Sequence, residues 1–152
     1  MSSDMQLNAY KNWANGNPMR DVTREMMVSQ FQKAMGQPID VPYSKGDLHL
    51  RMRLINEEVK ELEAEVNKAR QQLDWDAKVS DEVQENILKE LCDIMYVVSG
   101  FAVTFGLPVQ PAFVRVHHSN MSKLVDGKPV VDAGGKVLKG ENYCPPSMKG
   151  LL

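Results

Sequence analysis

The sequence predicts an all-α fold that ends in a short, hairpin-like basic tail. Three observations lead there. Apolar residues recur at helical spacing from Leu48 to Leu73 and again from Val83 to Phe105. Serine, aspartate and glycine stand at the ends of these runs, where helix caps belong. After His118 the helical period stops, leaving Pro129 to Lys139 with two β-prone runs around Ala133-Gly134-Gly135.

In chain order, residues 1–20 are polar, with Gly16, Pro18 and four asparagines, and form an irregular arm before a domain at 21–152. Asp21 is placed to cap a first helix that runs to Met35 and stops at Gly36. The stretch from Gly36 to Gly46 contains two prolines and two glycines and is a loop. Asp47 is expected to cap the second helix. Its Leu48, Met52, Ile55, Val59, Leu62, Val66, Ala69 and Leu73 alternate steps of four and three, a seam that packs one helix along another. Such a helix is about 40 Å long, against a radius of gyration near ~15 Å for a domain of this size. A second subunit is the simplest cover for what protrudes. Leu73 to Ser80 is a connection, and Ser80 or Asp81 caps a third helix that ends at Gly106 before Pro108. A shorter helix follows from Pro111 to about His118.

Composition narrows the function. The 152 residues carry 18 Lys+Arg against 20 Asp+Glu, a formal charge of −2 that gives no general attraction to nucleic acid or anionic lipid. Ile94 to Phe105, the most apolar stretch, is too short to span a bilayer, and the first residues lack the pattern of a signal peptide. Cys92 and Cys144 make no disulfide framework and are expected as reduced thiols in the cytoplasm of a cell or an infected host cell. The charge is unevenly spread. Twelve acids face five bases between Leu54 and Asp93, and six bases face three acids from Arg115 onward. An acidic middle and a basic tail can attract each other, or share a metal–polyphosphate between them.

Two acidic clusters carry the chemistry: Glu57-Glu58-x-x-Glu61 on the second helix and Glu90-x-x-Asp93 on the third. Residues three or four apart share a helix face. A lone cluster of this kind is ordinarily a solvated face. Here Leu54 falls among Glu58, Glu61 and Glu65, while Glu90 and Asp93 share a stripe with Val97 and Gly100. Carboxylates gathered in a partly buried interface repel unless a cation neutralises them. An all-oxygen set suits a hard ion such as Mg²⁺ or Mn²⁺. A di-iron bundle would need Glu-x-x-His on two helices, which is absent. His49, His117 and His118 have no cysteines at zinc-ligand spacing, and Gly134-Gly135-Lys136 is too short for a P-loop.

The strings RMRLINEEVKELEAEV, ELCDIMYVVSGFAVTFGL and FVRVHHSNMSKLVDGKPVVDAGGKVLKGENYCPP resemble the MazG-like all-α NTP pyrophosphohydrolases. The likeness runs from about Asp21 to Pro146 and is nearest to the small single-domain branch of phages and bacteria, itself similar to phosphoribosyl-ATP pyrophosphohydrolase. The resemblance implies an antiparallel helical bundle that assembles as a homodimer or homotetramer. It implies hydrolysis of the α–β anhydride of a nucleoside triphosphate, a purine dNTP such as dGTP being favoured. Glu58, Glu61, Glu90 and Asp93 would hold Mg²⁺, with Mn²⁺ able to substitute, and Glu57, Glu58 and Glu61 would serve catalysis. Asn120, Lys123, Lys136 and Lys139 would hold the phosphates, with Arg115 a further candidate, and Tyr143 would stack on base or sugar. Val28, Phe31, Trp13 and Asn15 are candidates for the base pocket. The contrasting reading is a helical interaction module with no catalysis.

Overall fold

A computed structural model describes residues 23–152, so the arm, the Asp21 cap, Trp13 and Asn15 lie outside the described residues. Among the described residues there are four helices and no strand: α1 (Arg24–Ala34), α2 (Lys45–Trp75), α3 (Asp81–Thr104) and α4 (Val109–Met121). They fall into two compact units that divide between Gly106 and Leu107. Among the described residues no single helix is long and apolar enough to cross a membrane.

The helix starts correct three expectations. Thr23 caps α1, its hydroxyl accepting from the Met26 amide. Ser44, not Asp47, caps α2. Its Oγ accepts from the Asp47 amide at 3.0 Å while Asp47 Oδ2 pairs with the same hydroxyl at 2.5 Å, a reciprocal cap of the Ser-x-x-acid kind. Helix α4 begins at Val109 with Pro108 at its cap and runs to Met121, so Pro111 lies inside the first turn, where a missing N–H costs nothing. Ser80 caps α3 as expected, accepting from Val83, although α2 itself continues to Trp75.

In the first unit α2 and α3 form an antiparallel hairpin, and α1 lies on the C-terminal half of α3. The register is visible in its polar pairs. Gln72 meets Ser80, Glu65 accepts from Asn86, Glu58 faces Glu90 and Asp93, and Arg51 reaches Gly100. Arg51, Glu58, Glu65 and Gln72 are spaced by seven, so one polar stripe runs the length of the hairpin beside the apolar seam. Several seam residues, Met52, Val59 and Leu73 among them, remain about half exposed. The buried apolar core is correspondingly small, with Val28, Val83, Ala102 and Phe105 at its centre among the described residues.

The loop after α1 is tied to the end of α3. The Asp40 and Val41 amides donate to Val103 and Thr104 carbonyls at 3.0 and 2.9 Å. Tyr43 stacks on Phe105 at 4.6 Å between ring centroids. Gly106 terminates α3 at φ +63°, and a Cβ there would overlap the Asp40 carboxylate. Both facts demand glycine.

In the second unit the expected hairpin is a single isolated bridge, not a ladder. Val131 bridges Val137, with Asp132 N–H donating to Lys136 O at 3.0 Å and Leu138 N–H to Val130 O at 2.7 Å. Asp132 Oδ1 closes the turn by accepting from the Gly134 and Lys136 amides. A second tight turn, missed in the sequence reading, joins Val125 to Lys128 through Asp126 and Gly127, both at positive φ. This Asp-Gly pair is what a two-residue primed turn requires.

Candidate metal centre

Helix α2 presents Glu58 and α3 presents Glu90 and Asp93 so that one carboxylate oxygen of each lies within 4.8 Å of the others. Glu90 is buried, and Glu58 and Asp93 are half-buried. Helical spacing puts Glu90 and Asp93 one turn apart on one face, and the hairpin register brings Glu58 opposite them. Burial pushes the Glu58 carboxyl above its ordinary range, and the neighbouring charges of Glu61, Asp93 and Glu90 push it further, with Lys89 opposing them. Glu61 therefore belongs to the electrostatic neighbourhood, though it stands outside the close trio. Glu57 lies on the outer face, half-exposed, in a 3.6 Å pair with Arg53.

Lys89 is the participant that sequence reasoning overlooked. Its Nζ lies 2.9 Å from Glu90 Oε1, 3.1 Å from Glu90 Oε2 and 2.8 Å from Asp93 Oδ2. Hydrogen bonds to Asp93 and then Glu90 raise its pKa above the usual lysine value. A positive group thus already stands between two of the three carboxylates. The signal was a basic residue at i−4 to Asp93 and beside Glu90, which charge counting registers but does not locate. Three carboxylates converging on a point, one of them buried, with only oxygen donors, fit a hard divalent cation. Glu65 is differently occupied: its bond to Lys68 holds its carboxyl below the usual range, and Asn86 donates to its other oxygen.

The phosphate and stacking candidates lie in the second unit, where four of them form two pairs. Lys123 Nζ donates to Asn120 Oδ1 at 2.7 Å. Lys139 Nζ sits 4.7 Å from the centre of the Tyr143 ring, a cation–π contact. Lys136 is exposed. Arg115 is engaged otherwise, its Nη1 donating to the carbonyls of Ser147 and Lys149 at 2.8 and 2.9 Å and fastening the C-terminal segment to α4. Of the base-pocket candidates, Val28 is buried on α1, and Phe31 packs edge-on to Tyr96 at 5.7 Å.

Compared with known families, residues 28–120 match the one described as phosphoribosyl-ATP pyrophosphohydrolase. That range takes in the carboxylate trio, Glu61 and Asn120, and ends before Lys123, Lys136, Lys139 and Tyr143. No curated protein matches the chain.

Proposed function

The chain belongs to the phosphoribosyl-ATP pyrophosphohydrolase family, within the MazG-like all-α NTP pyrophosphohydrolases, and from that premise we propose that it cleaves the α–β anhydride of a (deoxy)nucleoside triphosphate. The products are the monophosphate and pyrophosphate, and a purine dNTP such as dGTP is the favoured substrate. Membership supports pyrophosphohydrolase activity on nucleotides in general, and the family is typically dependent on a divalent metal. The observation that carries the proposal is the trio of Glu58, Glu90 and Asp93 within 4.8 Å in a chain of this family.

Mg²⁺, with Mn²⁺ as substitute, would be held by these three residues, and Glu61 on the next turn of α2 completes the acidic set. When bound, such an ion neutralises phosphate charge and lowers the pKa of a coordinated water. The chain supplies the rest. Glu58, half-buried on α2 opposite Glu90 and Asp93, is placed to accept a proton from an attacking water. Lys123, Lys136 and Lys139, with Asn120, supply charge-assisted hydrogen bonds for the phosphates. Tyr143 offers a ring face for base or sugar. The half-exposed seam of α2 supports a homodimer or homotetramer, and a cytoplasmic setting is part of the same reading.

The test is pyrophosphate release from the common NTPs and dNTPs with Mg²⁺, Mn²⁺ or a chelator. We expect metal-dependent release, and a fall of roughly a hundredfold or more in Asp93→Asn with its fold intact. Asp93→Asn turning over normally would refute the site. No release from any nucleotide would leave the helical interaction module standing.

A further inference from the structure

Lys89 is, among the described residues, the one basic side chain in an ion pair with a member of the carboxylate trio. The other ion-paired bases turn elsewhere, Arg53 to Glu57 and Lys68 to Glu65. An ammonium carries three N–H donors. That of Lys89 has three carboxylate oxygens within reach: both oxygens of Glu90, at 2.9 and 3.1 Å, and Asp93 Oδ2 at 2.8 Å. Its donors are therefore fully matched by the acids. The Glu90 side chain is 8% exposed, that of Asp93 40% and that of Lys89 59%. The stem of Lys89 thus runs over the surface, and its ammonium closes the solvent side of a buried carboxylate.

Two demands meet at these oxygens. A divalent cation held by Glu58, Glu90 and Asp93 needs them too, and two positive charges cannot share them at such close range. Lys89 must then turn away, and its exposed, flexible stem lets the ammonium do so without leaving the mouth of the site. The charge balance still asks for it there. Three ionised carboxylates and one divalent ion together leave −1, and Glu61 adds to the negative side. A polyphosphate approaching such a surface is repelled unless further positive charge stands beside it. Phosphate oxygens are also strong acceptors for a displaced ammonium, and lysine binds them as a compact point charge. The other lysines proposed for phosphate, Lys123, Lys136 and Lys139, all lie in the second unit, whereas Lys89 is the first unit's own.

Building on the pyrophosphohydrolase reading, we propose that Lys89 is a substrate-binding residue: its ammonium is the counterion of Glu90 and Asp93 in the metal-free chain and passes to a phosphate oxygen of the substrate in the loaded site. One residue then has two effects of opposite sign. Without phosphate it competes with the divalent cation and weakens its binding. With phosphate it adds a charge-assisted hydrogen bond and strengthens the hold on the substrate. The two effects are linked. A phosphate that draws Lys89 away uncovers the carboxylates, so cation and phosphate each favour the other through this side chain.

The test uses the full chain and two probes, Mn²⁺ and inorganic pyrophosphate. Free Mn²⁺ counted by electron paramagnetic resonance gives the affinity of the metal-free protein for the cation. Calorimetry at saturating Mn²⁺ gives its affinity for pyrophosphate. Lys89→Met keeps the length and helix preference of the side chain without its charge. It should bind Mn²⁺ more tightly than wild type, by about threefold, and pyrophosphate more weakly, by about tenfold. KM for whichever triphosphate is hydrolysed should rise with the latter. If Lys89→Met does not fold, Lys89→Gln decides. Unchanged or weaker Mn²⁺ binding in the folded variant overturns the proposal. So does tighter Mn²⁺ binding with unchanged pyrophosphate affinity, the mark of a lysine that only quiets its acidic neighbours. Metal-dependent hydrolysis by wild type, with neither shift in the variant, would sink the role of Lys89 alone. Both opposite shifts in a chain that hydrolyses no triphosphate would sink the pyrophosphohydrolase reading alone.

Discussion

Replacing Glu58 by Gln should stabilise the metal-free protein. The carboxylate oxygens of Glu58, Glu90 and Asp93 lie within 4.8 Å of one another. At that separation two like charges repel by about 3.5 kcal/mol at an effective dielectric of about 20, and by about 0.9 kcal/mol in water. Glu58 faces two such neighbours, while the Lys89 ammonium offsets roughly one of them. Because Glu58 is only half-buried, screening leaves a net penalty of about 1–2 kcal/mol. For a chain of this size that corresponds to a rise in Tm of about 2–8 °C. The pH dependence fixes the sign independently. A carboxyl whose folded pKa is raised contributes stability below its ordinary value of 4.5, and that stability is lost as pH rises through the raised value. The advantage of Glu58→Gln should therefore be full at neutral pH and vanish as the solution is acidified towards that ordinary value. Divalent metal should reverse the order, because a ligand at a hundred times its Kd stabilises the native state by about 2.7 kcal/mol and the variant has lost a ligand. Differential scanning fluorimetry of both proteins in chelator and in Mn²⁺, across pH, reads all three effects. A variant that melts below wild type in chelator, or that gains as much from Mn²⁺, would refute the reasoning.

Three further outcomes are expected. Lys123→Ala and Lys139→Ala should each lower kcat/KM by about ten- to a hundredfold, the value of one charge-assisted phosphate bond, at unchanged Tm; a stability loss with normal kinetics would show instead that the tail docks on acidic helices. Light scattering should return a multiple of the 17.1 kDa chain mass at micromolar protein, because the half-exposed Met52, Val59 and Leu73 need cover; a particle of one chain mass would rule the oligomer out. Gly106→Ala should lower Tm by about 2–8 °C, since a left-handed backbone costs about 1–2 kcal/mol outside glycine and the new methyl meets the Asp40 carboxylate; an unchanged melting curve would count against that close approach.

The helices were legible because their apolar period is long and regular: α2 and α3 lie where the four-three alternation and the Ser80 cap place them. Their ends were less so. Ser44 and Pro108 precede the residues a pattern search favours and Thr23 follows Asp21, since several polar residues near a helix start can cap it and only backbone geometry chooses. Helical spacing alone put Glu58 with Glu61 and Glu90 with Asp93, and the family resemblance is what joined the two clusters into one set. The buried side chains of Arg51 and Gln32 were not legible at all. A buried polar residue resembles any other until the atoms around it can be counted, and Gly100 reads as a break in an apolar run rather than as a close neighbour of both side chains. Lys89 entered the sequence reading only as one positive charge among five, because charge counting ignores which way a long side chain folds.

That lysine has a consequence for the order of assembly. In small zinc domains the metal is part of the folding reaction, and a chain that has not met its ion stays unfolded. Here the counterion for Glu90 and Asp93 is tethered to the same helix, so α3 arrives with its acids already answered. The hairpin can close before any ion binds, and loading of a divalent ion would be an exchange in which the Lys89 ammonium gives up its place beside Glu90 and Asp93 and regains its rotamer freedom. Affinity for the ion is then a difference between two cations, adjustable by changing Lys89 without touching a ligand. A chain without its metal would then still fold.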